Sequence, residues 1–457
     1  MQKNDSVKAD IVELSFEGLG VAKIDGRTVF VYDALPNEKV KANVMAVKKR
    51  HAFAKVSEVL SASPDRVKPP CAYFPKCGGC VLQHMTYAKE LAFKKEWFAR
   101  AFAEEGITLA EIPLQTPFTV QPSDTEYGYR NKCSLPIRSG KGGSVQVGFF
   151  RKKSHEVIDI SECLLQLPSI AELLTVLKDW INGELGGKKI EPYHEETHSG
   201  NLRHIALRVI GGKAVVCVVG TAAAHTIDFS AFSQALANLF NGNFALYYNR
   251  NPDKTNVIFG KEFTLIAGED TPIAVDGLLL RVHPAGFFQV NDNVRQKLFA
   301  AVQAAVQKTK PHTVIEAYAG QGVLAAKLSN LAQKLYGIEI CPESIESGIE
   351  MTRLNGINNL HFVAGDCGVE LGKLLKRLHE PFLILDPPRG GLCEKALGAV
   401  LKNRPKDILY ISCNPVSLAR DIAVWLPHYR LAHLEAFDMF PKTLNVETLA
   451  VLERIEK

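Results

Sequence analysis

After about residue 273 the sequence alternates regularly between short apolar segments and longer amphipathic ones. Strand patterns occur at residues 312–317, 334–340, 361–364, 382–386 and 408–413, with helical periodicity between them and a further strand at 448–455. Alternation of this kind predicts a doubly wound parallel sheet, whose ligands bind at the carboxyl ends of the strands. We therefore predict an α/β domain over residues 271–457 with its site at that edge.

The first 270 residues have a different pattern. Residues 1–61 are short alternating apolar and polar pieces separated by turn signals, which is typical of a small β-barrel. Residues 62–270 mix strand and helix patterns, so they predict a central α+β domain. Within that domain, residues 87–106 form an amphipathic helix that is free to pack against the C-terminal domain. The chain is thus predicted to have three domains, as its 457 residues allow.

Composition narrows the class of protein. The sequence has no run of 18 apolar residues and its N-terminus is polar, which predicts no membrane span, no secretory signal and a cytoplasmic location. No obligate protein partner is indicated. The net charge of +5 is only mildly basic, but residues 39–55 contain six Lys or Arg and residues 127–155 contain seven, with no acid in either stretch. Aromatic residues alternate with the cations of the second stretch. This pattern favours a nucleic-acid site, in which cations contact phosphates and aromatic rings stack on bases, over a charged surface that only faces solvent.

The first two strands of the C-terminal region end in residues suited to a nucleoside. Gly320 and Gly322 follow the first strand, where glycine lets the backbone approach a ligand closely. Glu339 ends the second strand, where a carboxylate can accept hydrogen bonds from both ribose hydroxyls. The same segment fits the dinucleotide fingerprint Gly-x-Gly-x-x-Ala, so an NAD-dependent oxidoreductase stays an alternative at this point.

The fourth and fifth strands end in Asp386-Pro-Pro-Arg and Ser-Cys413-Asn-Pro. Both polar ends should meet over one crevice, because parallel strands share an edge. An isolated cysteine is usually a small buried hydrophobe, but Cys413 lies at the lip of the sheet beside the nucleoside site. An NAD-dependent oxidoreductase would not explain why these two motifs place a reactive thiol beside the nucleoside site. Such a thiol equally argues against a third alternative, a non-catalytic RNA-binding protein.

These motifs resemble those of the RNA uracil-5-methyltransferases, which also carry Asp-x-Phe-Pro and Val-Glu near the C-terminus. This chain has Asp438-Met-Phe-Pro and Val-Glu447, and the resemblance extends over essentially the whole chain. It implies a class I methyltransferase that uses S-adenosylmethionine to methylate C5 of a uridine in RNA. It also implies that Cys413 is the nucleophile, that Glu447 accepts the proton and that Phe288 neighbours the flipped base. The residues implied for the cofactor pocket are Gln289, Tyr318, Glu339 and Asp386.

The implied reaction needs a thiol because C5 of uracil is too weak a nucleophile to attack a methyl sulfonium unaided. A thiolate that adds to C6 makes C5 reactive, and a base must then remove the C5 proton so that the thiol can leave. Cysteine thiolates are intrinsically very nucleophilic, so modest activation is enough. The chain departs from the family pattern at Asn445, where the family usually has His, and at Lys442, where it usually has an uncharged or aromatic polar residue. Both positions bear on the orientation of Glu447.

A cluster of cysteines predicts a metal site in the central domain. Cys71, Cys77 and Cys80 lie within ten residues among Gly and Pro, Cys163 is the natural fourth ligand, and Cys133 competes for that place. Four thiolates suit tetrahedral zinc or an iron-sulfur cluster equally well. Resemblance to the family branch with an N-terminal barrel favours [4Fe-4S].

The barrel itself resembles a TRAM domain, an RNA-binding module with an oligonucleotide-binding-like fold. Family members with both a barrel and a cysteine cluster mostly act on the large ribosomal RNA. The expected substrate is therefore 23S rRNA, with tRNA as the alternative. Presenting a paired or stacked uridine to Cys413 requires base flipping, and the barrel with the basic central domain can supply the compensating contacts.

Overall fold

The computed structural model describes residues 1–140, 144–185 and 189–456. Lys141, one of the cations of the second basic stretch, lies outside the described residues. None of the helices within the described ranges combines the length and apolarity needed to cross a lipid bilayer.

The N-terminal region forms one six-stranded sheet in the order β1-β5-β6-β4-β3-β2. The strands β1 to β6 span Ser6–Asp10, Glu13–Leu14, Gly20–Ile24, Arg27–Tyr32, Lys39–Val47 and His51–Ser61. Strict alternation along β5 buries Val40, Ala42 and Val44 in a core of small aliphatic side chains. The same alternation turns Lys39 and Lys41 to solvent, because successive side chains of a strand point to opposite faces.

The central region is a seven-stranded sheet in the order β10-β9-β8-β11-β12-β13-β14. The strands β8 to β14 span Lys132–Ser139, Val145–Phe150, Val157–Asp159, Leu202–Ile210, Lys213–Gly220, Phe244–Arg250 and Glu262–Gly268. Helices α2 (Pro168–Asn182) and α3 (Ser230–Leu239) pack on it through Leu173, Leu177 and Phe232. β11 and β12 are buried along their whole length.

The C-terminal region begins with the hairpin of β15 (Ile273–Val275) and β16 (Leu278–Leu280) and continues into a doubly wound sheet, as predicted. The strands β17 to β23 span Thr313–Ala317, Lys334–Glu339, Leu360–Ala364, Phe382–Leu385, Asp407–Ser412, Tyr429–Phe437 and Glu447–Arg454. The helices α4 to α9 span Asp292–Thr309, Val323–Lys327, Pro342–Leu354, Cys367–Arg377, Glu394–Asn403 and Pro415–Trp425.

Two elements that precede the central sheet in the chain lie in this C-terminal layer. Helix α1 (Tyr87–Glu104) packs on α9 and buries Trp97, Phe98 and Phe102 in the core of the sheet. Strand β7 (Thr119–Gln121) pairs in parallel with β22 at the sheet edge. The full order is β19-β18-β17-β20-β21-β23-β22-β7, with β17 to β21 parallel. The order reverses between β17 and β20, which is where such sheets open a crevice.

Candidate active site

The carboxyl ends of β17, β18, β20 and β21 open into one crevice with a volume of about 940 Å³. Its lining includes every residue that the sequence suggested for catalysis or for the cofactor: Gln289, Tyr318, Glu339, Asp386, Cys413 and Glu447. Strand ends supply four of these side chains, the loop before α4 supplies Gln289, and the first residue of β23 supplies Glu447.

One end of the crevice has the geometry of a nucleoside site. The turn after β17 adopts left-handed backbone conformations at Tyr318, Gly320 and Gly322, with φ angles of 65°, 56° and 70°. Glu339 fixes this turn, since its carboxylate accepts the backbone N–H groups of Gly320 at 2.8 Å and of Cys341 at 2.9 Å. Glu339 also accepts the N–H of Ile340 at 2.9 Å. Since a carboxylate has about four acceptor positions, one position remains for a ribose hydroxyl.

At the other end, two strand-end motifs are joined beside the thiol. Asn414 caps α9 by accepting the N–H of Val416 at 3.1 Å, and its side-chain amide donates to the Arg389 carbonyl at 3.0 Å. Ser417 donates to the same carbonyl at 3.3 Å. The turn after β20 is therefore held against the turn after β21, with Cys413 half-buried between them.

The ionisable groups in this end of the crevice favour their protonated forms. Burial raises the pKa of the Cys413 thiol to about 11, and the negative charges of Glu447 and Asp386 add to the rise while Arg389 opposes it. Burial also raises the pKa of Asp386 to about 7. The pKa of Glu447 lies well above its usual range because of burial and the charge of Asp386. A cation bound here would favour the ionised forms of all three groups.

The raised pKa of Cys413 gives a pH prediction. In the protein without cofactor or RNA, the rate of Cys413 alkylation by iodoacetamide should rise nearly tenfold per pH unit from pH 7 to pH 9, because only the thiolate reacts. Peptide-resolved mass spectrometry measures this rate, and Cys413→Ser identifies the modified peptide. A rate that levels off below pH 8 would contradict the raised pKa.

The segment between β22 and β23, residues 438–446, is anchored by a buried ion network. Lys94 of α1 lies 2.6 Å from Oδ1 of Asp438 and 2.8 Å from Oε1 of Glu90, and all three side chains are fully buried. Lys442 lies 3.3 Å from Oε2 of Glu90 and 2.5 Å from Oε2 of Glu126. The network ties helix α1 to the segment that leads directly into Glu447.

Backbone hydrogen bonds from the residues that follow Cys80 also hold the segment 438–446. The N–H groups of Val81 and Leu82 donate to the carbonyl of Lys442 at 3.0 and 3.2 Å, and the N–H of Lys442 donates to Oε1 of Glu90 at 2.7 Å. Lys442 has a left-handed φ of 66°. Lys442, one of the two departures from the family pattern, is therefore buried within the anchor. Asn445, the other, is half-buried and its N–H donates to Oγ1 of Thr443 at 3.2 Å.

The predicted metal ligands gather around one small cavity in the central domain. Cys71, Cys77, Cys80 and Cys163 all line it, and all four are free thiols. Burial raises the pKa of Cys80 to about 12, with the other three sulfurs adding to the rise. Cys133, the competing ligand, is buried in the core of the central sheet. Within the described ranges, no group of three or more His, Cys, Asp or Glu side chains is arranged to hold a metal ion, so the predicted metal site is not shown.

Several residues of the crevice had no signal in the sequence. Phe287 is 73% exposed and lines the crevice, whereas Phe288 is buried with the Arg295 guanidinium 4.6 Å from its ring centre. Phe287 thus faces the crevice directly, while Phe288 lines a smaller cavity whose walls share Gln289, Tyr318 and Asp386 with the crevice. The expected position of Phe288 beside the base stays a prediction. Phe259 and Phe263 also line the crevice, from the last strand of the central sheet and the loop before it. Only their three-dimensional position reveals them, since no motif surrounds them.

The strand order and the site at its reversal define a class I methyltransferase, a fold whose members use S-adenosylmethionine. The structure is similar to that of Pyrococcus abyssi tRNA (uracil-54, C5)-methyltransferase in complex with S-adenosyl-L-homocysteine, with a TM-score of 0.76 and 25% sequence identity. The similarity covers 98% of this chain and 100% of the P. abyssi chain.

The sequence comparisons specify the family. Residues 228–455 match the tRNA (Uracil-5-)-methyltransferase family and residues 2–57 match the TRAM domain. An uncharacterised RNA methyltransferase of Halalkalibacterium halodurans is 34% identical, over 99% of this chain and 98% of that protein. One of Clostridium acetobutylicum is also 34% identical, over 100% and 99% of the two chains. The chain therefore belongs to the S-adenosylmethionine-dependent RNA uracil-5-methyltransferase family and carries an N-terminal TRAM domain. The predicted family is confirmed, and the oxidoreductase and non-catalytic alternatives are set aside.

Proposed function

We propose that this protein methylates C5 of a uridine in a structured RNA, with Cys413 as the covalent nucleophile and Glu447 as the proton acceptor. The observation that carries the proposal is that a thiol and a buried carboxylate line the same crevice as a nucleoside site. Bound S-adenosylmethionine supplies an electrophilic methyl group and a positive charge, and the residues that would hold it are Gln289, Tyr318, Glu339 and Asp386.

The side chains of this protein would act in sequence on the uracil ring. The Cys413 thiolate attacks C6, so that an Sγ–C6 bond forms and the electron pair of the C5–C6 double bond moves toward C5 and O4. After C5 has gained the methyl group, Glu447 takes the C5 proton. The electron pair of that C–H bond restores the double bond, and the Sγ–C6 bond breaks. A carboxylate with a raised pKa is a stronger base for this step, provided that it is ionised when the substrate is bound.

We propose 23S rRNA as the substrate and tRNA as the second candidate. The TRAM domain and the outward-facing lysines of β5 suit RNA of either kind. Ribosomal RNA is favoured by the resemblance to family members that combine a barrel with a cysteine cluster. The tRNA candidate is favoured by the P. abyssi structure, because a tRNA enzyme there aligns over 98% of this chain.

The experiment that tests the function compares RNA from a strain that lacks the gene with RNA from its parent. We expect 5-methyluridine to disappear from one position, either in ribosomal RNA or in tRNA, as measured by nuclease digestion and mass spectrometry. The wild-type gene should restore it, and an equally expressed Cys413→Ala gene should not. Unchanged 5-methyluridine in both RNA pools would contradict the proposal.

We propose further that Cys71, Cys77, Cys80 and Cys163 hold a [4Fe-4S] cluster, with zinc as the alternative. The proposal is supported by four free thiols around one small cavity, a donor set that either metal centre accepts. Protein purified without oxygen is expected to contain about four iron and four sulfide per chain. Cys80→Ser should lose the iron, whereas Cys133→Ser should retain it. Protein that contains zinc but no iron would show that the four cysteines hold zinc instead of the cluster. Protein that contains neither metal would overturn the proposal.

A further inference from the structure

The turn that contains Lys442 has a shape that lysine does not favour. The N–H of Thr443 donates to the carbonyl of Phe440 at 3.1 Å, which closes a four-residue β-turn with Pro441 and Lys442 at its centre. Proline fixes a negative φ and Lys442 has a φ of 66°, so this is a type II turn. The third position of such a turn favours glycine or asparagine, because other side chains are strained there. The presence of a lysine must therefore be explained by contacts outside the turn.

The ammonium group of Lys442 lies in a buried site among carboxylates and aromatic rings. Oε2 of Glu90 accepts no hydrogen bond from any residue that the structure describes, and Nζ of Lys442 lies 3.3 Å from it. The same ammonium group lies 2.5 Å from Oε2 of Glu126, and 5.1 Å and 5.8 Å from the ring centres of Tyr87 and Tyr127. Only 2% of the Lys442 side chain is exposed, so these groups, and not water, stabilise its charge.

The charges around Lys442 leave one carboxylate in excess. Among the described residues, Glu90, Asp438 and Glu126 pair with Lys94 or Lys442, which gives three carboxylates and two ammonium groups. Without Lys442 the excess would be two carboxylates, and only Lys94 would remain for the fully buried Glu90 and Asp438. An uncompensated buried charge is strongly destabilising. The turn is therefore expected to shift so that water can reach Glu90.

A shift of this turn would be transmitted to the catalytic crevice. Hydrogen bonds concentrate at Lys442, whose N–H donates to Glu90 and whose carbonyl accepts two N–H groups from the loop before α1. Five residues later, Glu447 begins β23 and lines the crevice. Cys413 belongs to the end of β21 and is held by the turn at Arg389, which does not contact the segment 438–446 through these bonds. Loss of the anchor is therefore expected to displace Glu447 more than Cys413.

We propose that Lys442 is a positioning residue for the second half of the reaction, in which Glu447 removes the C5 proton. Paired with Glu90, Lys442 holds the strained turn and so keeps the Glu447 carboxylate within reach of that proton. Attack by Cys413 and transfer of the methyl group precede this step and do not depend on the pair. The inference rests on the proposed function, in which Glu447 is the base.

Lys442→Asn tests the charge separately from the backbone, because asparagine suits the third position of the turn. The probe is total RNA from the strain that lacks the gene, with labelled S-adenosylmethionine. We expect turnover to fall about 10- to 100-fold, since small displacements of a catalytic group have effects of that size. RNA from the same strain grown with 5-fluorouracil should still trap the covalent adduct within about threefold of the wild-type rate, because this adduct forms before proton removal.

A compensating substitution identifies Glu90 as the partner. Glu90→Gln keeps the oxygen acceptor and, combined with Lys442→Asn, restores the excess of one carboxylate. The double variant should therefore regain turnover to within about threefold of the wild type. Hydrogen exchange of residues 438–446, measured without RNA, should be about tenfold faster in Lys442→Asn and return to the wild-type rate in the double variant. Lys95→Gln, at an exposed position of α1, should change neither quantity.

The possible outcomes separate this inference from the proposed function. Wild-type turnover in Lys442→Asn, or a loss that Glu90→Gln does not reverse, would overturn the role of Lys442 while methylation stands. Equal losses of adduct formation and turnover would overturn it too, because general destabilisation lowers both. Wild-type protein that forms neither adduct nor 5-methyluridine would reject the proposed function, and this inference with it.

Discussion

Replacing Cys413 with alanine is expected to lower the rate of methyl transfer by ~10⁴-fold or more, because no other described side chain in the crevice offers a thiol next to Glu447 and Asp386. Binding of RNA should change by less than about threefold, since the substitution removes one half-buried sulfur and no charged contact. Single-turnover methyl transfer from labelled S-adenosylmethionine measures the first effect, and filter binding measures the second.

A covalent adduct distinguishes a nucleophile from a residue that only shapes the pocket. Glu447→Gln should accumulate a protein–RNA adduct, because the C5 proton then has no acceptor and the Sγ–C6 bond cannot break. Cys413→Ala should form none, and neither should the double variant. An adduct that survives in Cys413→Ala, on denaturing gels with RNA containing 5-fluorouridine, would disprove the assigned nucleophile.

The second large effect is on stability. Lys94→Met should destabilise the C-terminal domain by about 3–5 kcal/mol, because Asp438 would lose the cation that pairs with it while buried, and Glu90 would keep only Lys442. For a domain of this size the melting temperature should fall by about 10 °C. Lys95→Met is the matched control, because Lys95 is the next residue of the same helix and is exposed. It should change stability by less than about 0.5 kcal/mol.

The pH dependence of this loss has a defined sign. Burial already raises the pKa of Glu90 although Lys94 opposes the rise, so removing Lys94 raises it further. The Glu90 carboxyl group then becomes neutral more readily as the pH falls, and the difference in stability between Lys94→Met and the wild type should shrink from pH 8 to pH 5. A difference that grows over this range, in calorimetry, would contradict the role assigned to Lys94.

Hydrophobic periodicity was sufficient to predict the parallel strands of the C-terminal sheet, since buried strands and amphipathic helices follow one another regularly there. It did not predict β7 or β22. Strand β7 has only three residues and no alternation of its own, so its position depends on pairing with a strand more than 300 residues away. Short strands at a sheet edge carry little local signal.

The sequence predicted that residues at the strand ends, such as Cys413 and Glu339, line one crevice, and the structure places them there. Their chemical roles stay predictions. The ion network was not predicted, because a lysine such as Lys94 in an amphipathic helix is ordinarily a solvent-facing residue. Its burial becomes evident only when Asp438, from the far end of the chain, is placed opposite. Likewise, the different exposure of the neighbouring rings Phe287 and Phe288 depends on the packing of Phe288 against the Arg295 guanidinium.

Because α1 and β7 pack into the C-terminal sheet, a stable catalytic fragment cannot be obtained by cutting the chain between the central and C-terminal regions. A fragment that begins at residue 271 would lack β7, which leaves the outer edge of β22 without a partner strand. It would also lack α1, which exposes the apolar surface that α1 covers on α9. Such a fragment is expected to aggregate instead of yielding a minimal enzyme. During synthesis, α1 and β7 cannot dock until α9 and β22 have left the ribosome, so residues 87–121 and the catalytic sheet reach their final structure together.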